Sequence, residues 1–272
     1  MVRPSTLAAV LIVWVVHASA FGADVSRDQQ YGFQRTIVTL GTYRGFMLEP
    51  TRAAADGSRP WVWYAPTFIG VLPNESNRWL LSRLLEDGFA VCGVDVGESF
   101  GSPAGRAAYA RFYDYFVRVR GLDPKVTLLP QSRGGLMLYN WAAENPEKVR
   151  RIGGIFPVCD LRSYPGLTRA APAYGSTPAQ LERDLNLHNP VDRLEPLAKA
   201  GIPILHVHGD ADEVVPLEAN SQLLRDRYQR LGGKMELVVI PGKGHQVVPE
   251  FFESEVLFRF LSGRRPLLDG AP

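Results

Sequence analysis

Val126-Thr127-Leu128-Leu129-Pro130-Gln131-Ser132-Arg133-Gly134-Gly135 is the stretch on which the reading of this chain turns. Val126 to Leu129 reads as a short buried strand, and the apolar pattern that begins near Gly135 reads as a helix. A serine on the sharp turn between them projects its hydroxyl above the sheet edge, with room around it only if its neighbours are small. Gly134 and Gly135 supply that room. The helix that follows aims its free backbone N–H groups and the positive end of its dipole at the same spot, where a developing oxyanion is stabilised. The N–H of Arg133 is the natural first donor. Serine is also a routine helix cap, so the turn alone leaves Ser132 between nucleophile and cap. Pro130 takes the place of the first glycine of G-x-S-x-G, which its fixed φ permits if that position is still extended.

Outward from this turn, short apolar strands alternate with amphipathic helices. The strands are expected at Trp61 to Ala65, Phe89 to Val94, Val126 to Leu129, Ile152 to Phe156, Ile204 to His208 and Glu236 to Ile240. Such alternation predicts an α/β fold, with a mostly parallel sheet covered by helices on both faces. Two runs before it, Phe33 to Thr42 and Gly45 to Thr51, predict a hairpin-like start after a polar stretch to about Gln30. Asn77 to Glu86 puts Leu80, Leu81, Leu84 and Leu85 on one helix face, and Pro216 and Pro249 suit first helical turns. Residues 159–200, rich in Pro, Gly and Asn, break the rhythm and read as a small cap insertion with one helix, Pro178 to Asn186. The remainder, residues 21–272, is expected to be one domain.

The composition fits that reading. Of 272 residues, 46% are hydrophobic and 21% charged, which excludes disordered, collagen-like and coiled-coil classes. Thirty Lys and Arg against 28 Asp and Glu, with no basic run longer than Arg264-Arg265, leave no field suited to nucleic acid. Arg3, the apolar run Leu7 to Val16 and then His17-Ala18-Ser19-Ala20 read as an export signal over residues 1–20. Ten apolar residues are half of what a spanning helix needs, so no stable membrane insertion is expected after cleavage. The mature protein is expected to be secreted or periplasmic. Cys92 and Cys159 read as buried thiols.

A serine nucleophile needs a base, itself held by a carboxylate. Of five histidines, His17 leaves with the leader, His188 falls in the cap, and His206 and His208 lie on a strand or at its end. His245, in Pro241-Gly242-Lys243-Gly244-His245 after the last strand, sits where loops of an open parallel sheet collect ligands and catalytic groups. The preceding strand end offers His208-Gly209-Asp210-Ala211-Asp212-Glu213. Asp212 is the candidate acid, because Asp210 directly after the turn glycine suits an Asx-turn. Asp210 is the alternative, and Glu213 reads as a first-turn helix charge.

The motifs P-Q-S-R-G-G at 130–135, H-G-D-A-D-E-V-V-P at 208–216 and G-K-G-H at 242–245 resemble the α/β-hydrolase superfamily, within it the prolyl-oligopeptidase-like and dienelactone-hydrolase-like serine esterases. The resemblance spans about Trp61 to Leu261, and the order Ser132, Asp212, His245 matches that superfamily. It implies an α/β-hydrolase fold and a second oxyanion donor in Pro66-Thr67-Phe68-Ile69-Gly70. There Pro66 has no N–H, leaving Thr67 or Phe68, with Thr67 preferred. It also implies that Gly93 to Pro103 is similar to the D-x-R-G-x-G-x-S stretch, with Gly97 in the arginine's place. The family's strand order separates Cys92 from Cys159 by two strands, roughly 14 Å at about 4.8 Å per step, too far for a disulfide.

The expected activity is an exported serine hydrolase cleaving a small or carbohydrate-linked carboxylic ester through an acyl-enzyme, with no cofactor. An acyltransferase or a peptidase using the same triad is the alternative. A non-catalytic binding protein retaining the fold ranks lower, and so does a metallohydrolase. His206-Val207-His208-Gly209-Asp210 resembles H-x-H-x-D, but Ala211 stands where that motif needs a further histidine. Arg133 reads either as a partner for a substrate carboxylate or as a solvated first-turn residue, the latter preferred. Trp61, Trp63 and Tyr64 read as core, and Glu98 and Ser99 as neighbours of the catalytic edge.

Overall fold

In the computed structural model, which describes residues 23–54 and 56–264, nine strands form a single sheet. They are β1 (Asp24–Gln30), β2 (Phe33–Leu40), β3 (Tyr43–Leu48), β4 (Trp61–Ala65), β5 (Ala90–Asp95), β6 (Val126–Pro130), β7 (Val149–Ile155), β8 (Ile204–Gly209) and β9 (Met235–Ile240). Their order is β1-β2-β3-β5-β4-β6-β7-β8-β9, antiparallel up to the β3–β5 pair and parallel from β5 to β9. The leader expected over residues 1–20 lies outside the described residues.

The parallel strands are apolar without alternation because both faces are covered. All five residues of β4 are buried. Trp61 and Trp63 point to one face, where Trp63 meets Tyr109 and Trp141 with ring centroids 5.0 and 4.9 Å apart. Val62 and Tyr64 point to the other, among Leu80, Leu84, Phe258 and Leu261. Helix α1 (Arg78–Glu86) buries Leu80, Leu81, Leu84 and Leu85 on that second face, together with α5 (Glu255–Leu261). Helices α2 (Pro103–Asp114), α3 (Gly134–Glu144) and α4 (Leu223–Arg230) cover the first.

Two expectations change. The polar stretch before Gln30 is itself a strand: β1 pairs with β2 along its whole length, yet nearly every residue is exposed. An edge strand with no buried face carries no period-two apolar pattern, and its polar residues suit an unprotected edge. The helix expected to open at Glu213 begins instead at Glu218, so Glu213 and Pro216 lie in the turn that precedes it. That turn is held by the Asp212 carboxylate, which accepts the Val214 and Val215 N–H groups.

Cys92 on β5 and Cys159 beyond β7 are free and buried, with β4 and β6 between their strands. Residues 159–200 contain several short helices, of which Pro178–Arg183 matches the expected one; Thr177 caps it by accepting the Gln180 N–H. This segment rests on a small core of its own that includes Phe100, Leu136, Leu161, Leu181 and Val215. No helix of the described residues is long and apolar enough to cross a membrane.

Candidate active site

Ser132 follows β6 with φ +49°, a left-handed conformation that costs a non-glycine residue about 1–2 kcal/mol. The turn is pinned from both sides. Ser132 N–H donates to the Ile155 carbonyl at 3.0 Å, Val158 N–H donates to the Ser132 carbonyl at 2.8 Å, and Gln131 N–H donates to Ala65 O at 2.8 Å. The two glycines after Ser132 are fixed by backbone proximity. A Cβ on Gly134 would lie 2.1 Å from Ala65 O, and one on Gly135 would lie 2.2 Å from Val158 O. Pro130 is the final residue of β6, where extended backbone accommodates its φ. Gln131 Oε1 accepts from Tyr64 Oη and from Asn77 Nδ2, each at 2.9 Å, tying the turn to β4 and to the start of α1.

His245 has to reach back from β9, three strands away, a span of roughly 14 Å at the usual spacing. The loop after β9 folds over the end of β8 to do so. Ala211 N–H donates to Lys243 O at 3.0 Å, and Gly242 N–H donates to Asp210 Oδ1 at 2.6 Å. Asp210 thus bonds to backbone as expected of its type, but to the histidine loop and not within its own turn. Phe156, at the end of the intervening β7, packs on the His245 ring with centroids 4.3 Å apart. Its φ of +34° and its place beneath the imidazole have no signature in the sequence beyond following a strand.

The three candidate groups meet. Ser132 Oγ lies 2.9 Å from His245 Nε2, and His245 Nδ1 lies 2.8 Å from Asp212 Oδ2. The carboxylate is fully buried, whereas the imidazole is 18% exposed and accessible to a substrate. Asp212 Oδ1 accepts the N–H groups of Val214 at 3.0 Å and Val215 at 2.8 Å, which builds the turn before Glu218. Burial pushes the Asp212 carboxyl up. Hydrogen bonds from His208, His245 and the Val215 N–H outweigh it and hold the group well below the usual carboxylate range. Asp212 therefore stays ionised and orients the imidazole with its proton on Nδ1, leaving Nε2 to accept from Ser132.

Both proposed oxyanion donors lie at this edge. Among the described residues no backbone hydrogen bond uses the N–H of Arg133 or of Thr67, while Phe68 N–H is taken by Leu72 O at 3.0 Å. The Thr67 loop is anchored by Asp95, whose Oδ2 accepts Ile69 N–H at 2.9 Å. The Arg133 guanidinium is neither free nor simply solvated. Its Nε lies 3.1 Å from Glu98 Oε1, without an aligned hydrogen bond, and its head stacks 5.0 Å above the Phe68 ring. His188 packs against Tyr174 in the cap, and every ring nitrogen of His206 and His208 has a protein partner.

Residues 124–260, which include Ser132, Asp212 and His245, match the model of the prolyl oligopeptidase family. A protein of Bacteroides ovatus described as a dipeptidyl aminopeptidase IV superposes with a TM-score of 0.66 at 12% identity, over 90% of this chain and 36% of its own. Est1E from Butyrivibrio proteoclasticus gives 0.63 at 18% identity, over 88% of this chain and 98% of its own. Dipeptidyl peptidase 4 of Porphyromonas gingivalis gives 0.63 at 16% identity, over 88% and 35%. The chain thus spans about a third of the length of the two peptidases. At such identities the likeness carries the fold, which is that of the α/β-hydrolases. No curated protein matches by sequence.

Proposed function

The chain belongs to the prolyl oligopeptidase family, and from that premise we propose that it is an exported serine hydrolase acting on a small or carbohydrate-linked carboxylic ester. The observation that carries the chemistry is the pair of contacts at His245, 2.9 Å to Ser132 Oγ and 2.8 Å to Asp212 Oδ2. Ser132 Oγ attacks the acyl carbonyl carbon as His245 Nε2 takes its proton. The N–H groups of Arg133 and Thr67 receive the oxyanion. The imidazolium then protonates the leaving alkoxide, and water, activated by the same imidazole, releases the acid from Ser132. No cofactor enters this scheme.

The ester reading is supported by Est1E, which this chain covers almost end to end. The peptidase reading draws on the family model and on the two dipeptidyl peptidases. Export rests on the pattern of residues 1–20. A fluorophosphonate label with peptide mapping tests the nucleophile, and failure to modify Ser132 refutes it. Parallel assays on p-nitrophenyl acyl esters, acylated oligosaccharides and dipeptidyl p-nitroanilides test the substrate. Turnover of the anilides alone would reject the ester assignment.

A further inference from the structure

The catalytic scheme uses neither imidazole of His206-Val207-His208, yet both rings are fully buried on one chain of hydrogen bonds that ends at the triad. Tyr139 Oη lies 2.6 Å from His206 Nε2, His206 Nδ1 lies 2.9 Å from Ser221 Oγ, and Ser221 Oγ lies 2.7 Å from His208 Nδ1. His208 Nε2 is 2.8 Å from the Val215 carbonyl and 3.5 Å from Asp212 Oδ2, the oxygen that also serves His245.

The direction of each bond follows from the ends. A carbonyl only accepts, so Nε2 of His208 carries a proton, and its Nδ1 faces a Ser221 hydroxyl that has one proton to give. Ser221 gives its one proton to that Nδ1 and therefore receives the Nδ1 proton of His206. His206 Nε2 is left bare and accepts from Tyr139. Read from the other end the polarity is the same, because the Tyr139 hydroxyl has no other acceptor among the described residues and must donate to His206. Burial, with His208 alongside, drives the His206 imidazole well below its ordinary range, consistent with a neutral ring.

Resting on the triad reading above, we infer that His208 is a positioning residue for the reaction: Tyr139, His206 and Ser221 fix its tautomer so that the Nε2–H it gives to the Val215 carbonyl also faces Oδ2 of Asp212. Asp212 is held between two imidazoles. An acceptor shared by two donors binds each less strongly, so His208 limits how tightly the carboxylate holds the His245 imidazolium. The ionisable groups packed about this chain are His245 and Asp212 at one end and Tyr139 at the other, with Cys159 and Tyr228 near Tyr139.

His208→Asn keeps an amide near Nδ1 for Ser221 and leaves nothing at Nε2, whereas His208→Gln restores an N–H near Nε2. With the competing donor gone, Asp212 holds the imidazolium that forms in the transition state more tightly, so kcat is expected to be up to about tenfold higher in the Asn variant at unchanged KM. The acid limb of its kcat/KM profile moves to higher pH, because a carboxylate with one donor fewer interacts more strongly with the positive charge of the base. The Gln variant moves both readings back toward the parent. A purely structural role lowers the stability of both variants and leaves the limb in place. A wild-type kcat and limb in folded His208→Asn, or equal behaviour of the two variants, overturns the inference.

Nitrogen-15 NMR of the histidine-labelled parent requires no variant to fold. The expected pattern is a proton on Nε2 and a bare Nδ1 in His208, and a proton on Nδ1 in His206; the opposite assignment for His208 overturns the inference. Failure of the fluorophosphonate to label Ser132 in the parent removes the triad reading itself. A labelled, active His208→Asn with an unmoved limb removes only the role of His208.

Discussion

Replacing Asp212 by Asn tests the site most sharply, because all four groups around the carboxylate are donors. Oδ1 takes the N–H groups of Val214 and Val215, and Oδ2 takes the Nδ1 proton of His245 and faces Nε2 of His208. Asparagine offers one oxygen and one NH2, so one side must be lost. Turning the NH2 toward Val214 and Val215 leaves two N–H groups unsatisfied, at a cost of about 1–3 kcal/mol each. The amide oxygen is therefore expected to stay with the backbone, and its NH2 then faces His245. Nδ1 can accept from that NH2 only if its own proton moves to Nε2, the atom that must receive the Ser132 proton. A triad locked in this wrong tautomer loses about 10⁴-fold in kcat, or about 5.5 kcal/mol of transition-state stabilisation. The assay is steady-state hydrolysis of a p-nitrophenyl ester, with circular dichroism to establish the fold. A folded Asp212→Asn enzyme within tenfold of the parent kcat would refute the reasoning.

Gly134→Ala is expected to lower kcat about 10²-fold or more, because a Cβ 2.1 Å from Ala65 O must shift the Ser132 turn by about an ångström; an unimpaired kcat at parental Tm would contradict it. Trp63→Ala removes a fully buried ring and should cost about 3–5 kcal/mol in denaturant unfolding, with Ser132 labelling retained in the surviving folded fraction. His206 is held below its ordinary range by burial and by His208, so the unfolded chain binds a proton there that the folded chain refuses. Its contribution makes stability fall as pH drops below about 6.5, read as Tm against pH. The depressed Asp212 carboxyl acts lower on the scale: its stabilisation is complete above the unfolded value of about 4 and disappears as pH falls through the folded value. Asp212→Asn should flatten that acid limb of Tm, and an identical limb in both proteins would argue against the buried carboxylate as its source.

Much of the fold was legible because its signals are local. The buried parallel strands announce themselves as short apolar runs, and the observed strands overlap each one expected from Trp61 onward. The α/β-hydrolase class followed from their alternation with helices and from the motifs at 130–135, 208–216 and 242–245. β1 escaped because an exposed polar edge has no periodicity to read. The helix after β8 was placed too early, because Glu213 and Pro216 look like a first turn although the Asp212 carboxylate holds those residues outside one.

By itself the sequence determined which chemical groups stand at the ends of which strands: Ser132 after β6, Asp212 after β8 and His245 after β9. Only the tertiary structure decided how they meet. The loop after β9 is carried back across the sheet edge by Asp210 and Lys243, Phe156 packs beneath the imidazole, and Arg133 turns to Glu98 and Phe68. It also decided that His206 and His208 are joined to one another through Ser221. The division has a physical cause. Turn chemistry and apolar period are properties of neighbours along the chain, whereas a hydrogen bond of 2.9 Å between residues 113 positions apart exists only once strand order and loop path are fixed.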